Sequence, residues 1–316
     1  MSGNLIKQKK WAEMFKGMGA AFALIILIIV LSILLPQFRS VTNAMLVLRQ
    51  ASIVGFVAFG MTGVILTGGI DLSVGSILAI TAIIAAMLLS AGVHEIAMII
   101  IVLSAGLAFG AVNGLTVTKL RLQPFIATLI GMSVFRGFAM ILSGGRPISG
   151  LRGFYVLEGL GRGAFIGVPM PVWLLLVVFV LVFFLLNKTA LGRRIYAVGS
   201  NATAAQLAGV NITRTKVFVY ALSGLMASIS GLILVSRLGS AQPIMGVGLE
   251  LDAIAAVALG GTSMSGGRGK IYGTLSGVLI ITILSNGLNI MGVSSYYQTV
   301  ITGFVILLAV LSDRNR

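Results

Sequence analysis

Residues 51–91 read ASIVGFVAFGMTGVILTGGIDLSVGSILAITAIIAAMLLSA, two apolar runs joined by a short polar break that carries their single charge, Asp71. A bilayer is crossed by about 20 apolar residues in a helix, and 51–68 and 72–91 are two such runs placed back to back. Neither has a face that water could wet. Runs of the same kind recur at 18–35, 96–117, 125–142, 172–186, 217–235, 271–290 and 296–311. A tenth, 251–262, is only a dozen residues long and contains Asp252 near its start, so it reads as a short, broken or re-entrant helix. Ten spans account for most of the chain. The expectation is an all-α membrane protein, a polytopic bundle of about ten transmembrane helices forming one domain over residues 1–316.

Composition agrees. Of the 316 residues 58% are strongly apolar and 9% are charged, against about 25% charged in a soluble domain. A soluble enzyme is excluded. The net charge of +15 would point to nucleic acid in a polar chain, but here the placement of the basic residues matters more. With ten spans and both ends inside, the cytoplasmic set is Lys7, Lys9, Lys10, Lys16, Lys119, Arg121, Lys188, Arg193, Arg194, Arg214, Lys216, Arg268, Lys270, Arg314 and Arg316. Arg39, Arg49, Arg146, Arg152, Arg162 and Arg237 fall outside, and Arg136 alone lies within a span. Every lysine is therefore cytoplasmic, and both termini with them. A nine-span reading puts Arg268 and Lys270 outside and fits the bias less well. Residues 1–17 form a basic cytoplasmic tail, and the first apolar run, followed by Leu34-Leu35-Pro36-Gln37-Phe38, lacks the small-x-small site of a cleaved signal peptide.

Searches for chemistry mostly fail. There is no cysteine, hence no disulfide or thiolate site. His94, beside Glu95 in a short turn, reads as a solvated loop residue. The glycine-rich segment 260–270 lacks the phosphate-loop pattern: the first required glycine is Met264, and Ile271 stands where Ser or Thr is needed. Catalytic residues, a metal site and a cofactor in this chain are accordingly not expected. Glu250 and Asp252 lie at the mouth of the weak span, either as acidic groups at a helix start or as groups facing a substrate path or partner.

Polar interruptions within spans stand out because hydrocarbon penalises unpaired polar groups. Gly68, Gly69, Asp71 and Gly75 interrupt the opening stretch, either as a helix start with Asp71 in a capping role or as a hinge; Gly260 and Gly261 form a second hinge candidate. Asn113, Ser223, Ser285, Asn286 and Asn289 are further polar residues inside spans. Asn286 and Asn289 share a helix face, suited to interhelical hydrogen bonds or to a hydroxyl-rich ligand. Gly106, Gly110, Gly114, Gly224, Ser228, Ala227 and Gly231 recur at four-residue spacing and predict close helix packing. The loop 188–216 contains Asn201 as a helix cap, the short helix former 202–207 and Gly209 as a stop. A nearly uncharged helix between basic flanks is either a docking knob for another protein or a helix lying on the membrane surface.

In that loop, Ala204-Ala205-x-x-x-Gly209, following Leu191-Gly192-Arg193 and Tyr196-Ala197-Val198-Gly199, resembles the coupling segment of permeases from ATP-binding-cassette (ABC) importers. Many such permeases have a Glu before the alanine pair, whereas Thr203 stands here. From about residue 20 onward, the segments 65–76, Gln242-Pro243, 250–257, Leu259-Gly260-Gly261-Thr262 and 292–298 resemble the monosaccharide-permease branch, ribose type. Xylose, galactoside, arabinose and autoinducer-2 permeases share much of the pattern. The resemblance implies a bacterial inner-membrane subunit, not an enzyme, that pairs with a second permease copy. Its partners would be an ATP-binding subunit with two cassettes, carrying the ATP and Mg, and an extracytoplasmic sugar-binding protein. It implies coupling through Leu191, Gly192, Arg193, Asn201, Ala204, Ala205 and Gly209. Pathway candidates are Asn113, Ser285, Asn286 and Asn289, and docking candidates for the binding protein are Arg146, Arg152, Glu250 and Asp252. An ion-coupled secondary carrier is the competing class; it needs buried ionisable groups, of which Asp71 is the acidic candidate.

Overall fold

The computed structural model describes residues 19–151 and 154–314, so the basic tail and Arg152 lie outside the described residues. Each of the ten apolar stretches forms one helix. In chain order these are α1 (Gly19–Leu34), α2 (Val41–Leu66), α3 (Val74–Ser90), α4 (Glu95–Thr118), α5 (Pro124–Ser143), α7 (Met170–Lys188), α10 (Ile212–Leu238), α11 (Leu249–Leu259), α12 (Ile271–Ile290) and α13 (Ser295–Arg314). Three shorter helices join them: α6 (Tyr155–Arg162), α8 (Ala190–Ser200) and α9 (Ala202–Leu207). Six helices, α2, α4, α5, α7, α10 and α12, are long and apolar enough to cross a membrane; α1, α3 and the Ser295–Leu308 part of α13 are shorter apolar helices.

The stretch with which the sequence reading began is the centre of the bundle. Every residue of α2 from Ala51 to Leu66 is buried, and α3 is buried almost continuously from Val74 to Ala86. They pack against α10, which forms its most extensive contact with α4. Along that contact the predicted small residues let two backbones meet: a Cβ on Gly114 would lie 2.7 Å from the Val217 Cα, and one on Gly110 would overlap the Tyr220 carbonyl. On the outside, apolar side chains such as Ile33, Ile141 and Phe184 are largely exposed. Hydrocarbon, not water, suits such a surface.

Loops gather at two ends. At one, the breaks 67–73 and 260–270 meet the 189–211 segment. At the other, β1 (Ile148–Ser149) pairs antiparallel with β4 (Ser240–Ala241), Ile148 opposite Ala241, and a hairpin forms between β2 (Ala164–Phe165) and β3 (Val168–Pro169). Glu95 ties α6 into this end by accepting from the Tyr155 and Leu157 amides at 2.6 and 3.0 Å. The exposed His94 caps α4 by accepting from the Ile96 amide.

The weak span is α11. Its 11 residues cover about 16 Å, roughly half the hydrocarbon thickness. The segment before it descends from β4 into the bundle, where the Arg136 guanidinium donates to the Pro243 and Met245 carbonyls, both at 2.7 Å. Arg136 lies within α5, and these bonds satisfy a charge that hydrocarbon would penalise.

Candidate functional site

The most exposed regular structure at the first end is the pair α8 and α9. Thr189 caps α8 by accepting from the Gly192 amide at 3.1 Å, and Asn201 caps α9 by accepting from the Ala204 amide at 2.9 Å. Gly209 ends the turn with φ +82°, as its role as a stop requires. Asn211 then caps α10 through the Arg214 amide. The knob so formed presents Ala204, Gly209 and Leu207, the last 86% exposed, together with Arg193, whereas Ala205 and Gly192 are buried and Leu191 is half-buried. Gly192 is pressed against the Leu185 and Leu186 carbonyls.

The base of this knob touches both span interruptions. The Leu66 carbonyl, orphaned at the end of α2, accepts from the Gly267 amide at 3.0 Å. Gly199 in the last turn of α8 lies so close that a Cβ there would overlap the Leu66 oxygen and come within 2.5 Å of the Gly267 nitrogen. A Cβ on Gly266 would approach the Gly68 nitrogen at 2.8 Å. Tyr196, one turn earlier on α8, donates its hydroxyl to the Gly269 carbonyl at 2.9 Å; burial pushes its phenol up, so it stays a donor across the neutral range. Three chain segments thus meet backbone to backbone, without side chains to cushion them.

Further into the bundle lies a fully buried polar node. Asp71 Oδ1 accepts from the Ser73 amide at 3.0 Å and the Ser73 hydroxyl at 2.6 Å, and Oδ2 accepts from Ser223 at 2.9 Å. Asn113 donates to the Ser73 hydroxyl at 2.6 Å. The break, α4 and α10 are pinned together. Ser73, not Asp71, occupies the N-cap position of α3, while Asp71 closes an Asx-type turn just ahead of it. Asn113 also lies against Gly131 of α5. Its place is within helix contacts.

Near the opposite end a cavity of about 280 Å³ lies between α2, α11, α12 and α13. It brings Ser285 and Asn289 together with Asp252, Gln50, Gln298, Thr299 and Thr302. Asn286 is not among them. It forms a reciprocal amide pair with Asn43 of α2, at 3.1 and 2.8 Å. Glu250 turns the other way from Asp252, toward Gly75 of α3, where a Cβ would lie 2.5 Å from its Oε2. Arg146 is exposed in the loop after α5. Gly69 abuts the Tyr220 hydroxyl, and the Gly260 backbone lies against Gly273 of α12. Gly68 and Gly261 have φ of +75° and +80°, which glycine adopts without strain.

The contacts made by Gly199, Gly267, Asn43 and the polar stripe on α13 were not anticipated from the sequence. The stripe had a signal: Ser295, Gln298, Thr299 and Thr302 recur at helical spacing in an apolar run. Gly199 had none, because its partners are 133 and 68 residues away in sequence. Among the described residues, no three His, Asp or Glu side chains converge on a metal-sized site.

The sequence model of the family described as the branched-chain amino acid transport system / permease component matches residues 43–310. The chain is 52% identical to the ribose import permease protein RbsC of Bacillus subtilis (strain 168), over 95% of this chain and 93% of the relative. It is 47% identical to RbsC of Escherichia coli (strain K12), over 100% and 98%. It is 38% identical to the D-allose transport system permease protein AlsC of Escherichia coli (strain K12), over 94% and 91%. No solved structure matches the chain.

Proposed function

Since the chain belongs to the family of branched-chain amino acid transport system permease components, we propose that it is the membrane subunit of an ABC importer that takes up a monosaccharide, ribose before any other. It is a transport subunit rather than an enzyme. The ribose assignment is supported by two ribose import permeases at 52% and 47% identity; the D-allose relative at 38% marks an alternative substrate.

The observation that carries the mechanism is the contact of α8 with both span interruptions. An ATP-binding subunit gripping α9, the Arg193 flank and Gly209 would displace α8. Through Gly199 and Tyr196 that displacement reaches the end of α2 and the 260–270 break together. The helices on either side, α3, α11 and α12, then shift relative to α2, and the pathway changes the side to which it opens. ATP and Mg reside on that partner. No bond in the sugar is made or broken.

Ten crossings with both termini cytoplasmic fit this reading. What supports the orientation is that Lys119, Lys188, Lys216 and Lys270 all flank the end that carries α9, as basic residues retained in the cytoplasm do. The apolar outer faces of the bundle suit lipid and a second copy of the chain. Arg146, exposed at the far end, and Arg152 remain the candidates for gripping a sugar-binding protein. Asp71 serves an ion-coupled carrier poorly, because both of its oxygens are occupied by serine donors.

Uptake of radiolabelled ribose into proteoliposomes, with the ATP-binding subunit and loaded binding protein present, tests the proposal. ATP-dependent accumulation is expected. Accumulation driven by an ion gradient with the ATP-binding subunit absent would overturn it.

A further inference from the structure

Four polar side chains facing the cavity between α2, α11, α12 and α13 have no hydrogen-bond partner among the described residues: Gln50, Asp252, Ser285 and Thr302. Gln298 spends its amide nitrogen on Asn289 and the Val293 carbonyl, which leaves its oxygen free. Uncommitted polar groups in an apolar bundle are costly unless they face water or a ligand, and here they converge from four helices on one space. At about 280 Å³ the space admits a small ring compound with some water. The set is rich in neutral donors and acceptors and has a single carboxylate. A cation site would need more oxygen charge, and an anion site would need a basic group. A neutral polyol fits both the size and the lining.

We propose that this cavity is a transit site for the sugar, in which the Asp252 carboxylate accepts from its hydroxyls while Ser285, Gln298 and Thr302 complete the hydrogen bonds. The proposal rests on the importer reading and deepens it by naming groups in this chain that touch the cargo. Asp252 stands in the first turn of the half-length helix α11, so the helix whose far end joins the 260–270 break carries the main acceptor on its near end. Displacement of that break would therefore move the acceptor and release the sugar. A transit site of this kind should be weak, since a pathway that binds tightly does not conduct.

The test uses the full complex in proteoliposomes at saturating sugar-loaded binding protein, reading sugar uptake and ATP hydrolysis together. Asp252→Asn keeps the shape and removes the charged acceptor. Thr302→Val keeps the shape and removes a hydroxyl. For Asp252→Asn, uptake is expected to fall about tenfold, the scale of one hydrogen bond to a charged group, while hydrolysis stays within about twofold of wild type. Thr302→Val is expected to change the ratio of ribose to 2-deoxyribose uptake, a readout that a residue serving only packing leaves unmoved. Wild-type uptake and an unchanged sugar ratio in both variants would overturn the proposal, as would uptake and hydrolysis falling in parallel in both. If the wild-type complex itself fails to accumulate sugar on ATP, the importer reading falls instead, so the two failures are distinguishable.

Discussion

Replacing Gly199 with alanine adds one methyl group at the point where α8 meets both span interruptions. A Cβ there would overlap the Leu66 carbonyl and lie 2.5 Å from the Gly267 nitrogen, the two groups joined by a 3.0 Å hydrogen bond. The backbone cannot rotate out of the way as a side chain would, so α8 must retreat or the bond must open. Overpacking of this kind costs about 1–3 kcal/mol. Leaving the Leu66 carbonyl without its donor costs about 1–3 kcal/mol more. Alanine favours the helix by about 1 kcal/mol. The net is a junction destabilised by about 1–5 kcal/mol, with the global fold retained, because the core of α2, α3, α4 and α10 is untouched. In the reconstituted complex, uptake by Gly199→Ala should drop by at least about tenfold while ATP hydrolysis continues, and the melting temperature of the permease in detergent should fall. Wild-type uptake per ATP hydrolysed, together with an unchanged melting temperature, would refute the tight junction and the transmission path drawn through it.

Leu207→Asp alters a side chain that is 86% exposed on the knob; stability should change by less than about 0.5 kcal/mol, while co-purification with the ATP-binding subunit should be lost. Asp71→Leu strands the Ser73 and Ser223 donors in the core and should cost about 1–3 kcal/mol for each donor left unpaired, read as poor yield and early melting, whereas Asp71→Asn, which keeps an accepting oxygen, should cost less. Asn43→Leu and Asn286→Leu should each destabilise, but the double variant should cost less than their sum by about 0.6–1.7 kcal/mol. Sugar preference should be unchanged in all three, and a changed preference in Asn286→Leu would return that residue to the pathway.

The ten apolar stretches were legible because hydrocarbon demands a period-free run of apolar residues, and each became one helix. The knob was legible for a different reason: Asn201 and Gly209 mark a helix start and stop by chemistry within a few residues of themselves. Even the shortness of α11 could be read from residues 251–262. Asn113 and Asn286 mark where such reading ends. Both were recognisable as polar groups that must be satisfied inside a span, yet nothing nearby says by what. Asn286 finds Asn43, 243 residues away, and Asn113 finds Ser73. Ser285 and Asn289, from the same helix face as Asn286, reach a cavity instead. Glu250 and Asp252 have the same ambiguity, two residues apart and turned to opposite sides of α11.

The sequence by itself determined that this protein lives in a membrane, where its helices fall and which loop carries the short helix between basic flanks, because those properties depend on transfer to hydrocarbon and on local capping. Tertiary structure decided which polar group is a fastening and which faces open space, and that the 188–216 loop rests on both breaks at once. Those outcomes depend on contacts between segments far apart in the chain, and a hydrogen bond across such a distance leaves no mark on the residues beside either partner.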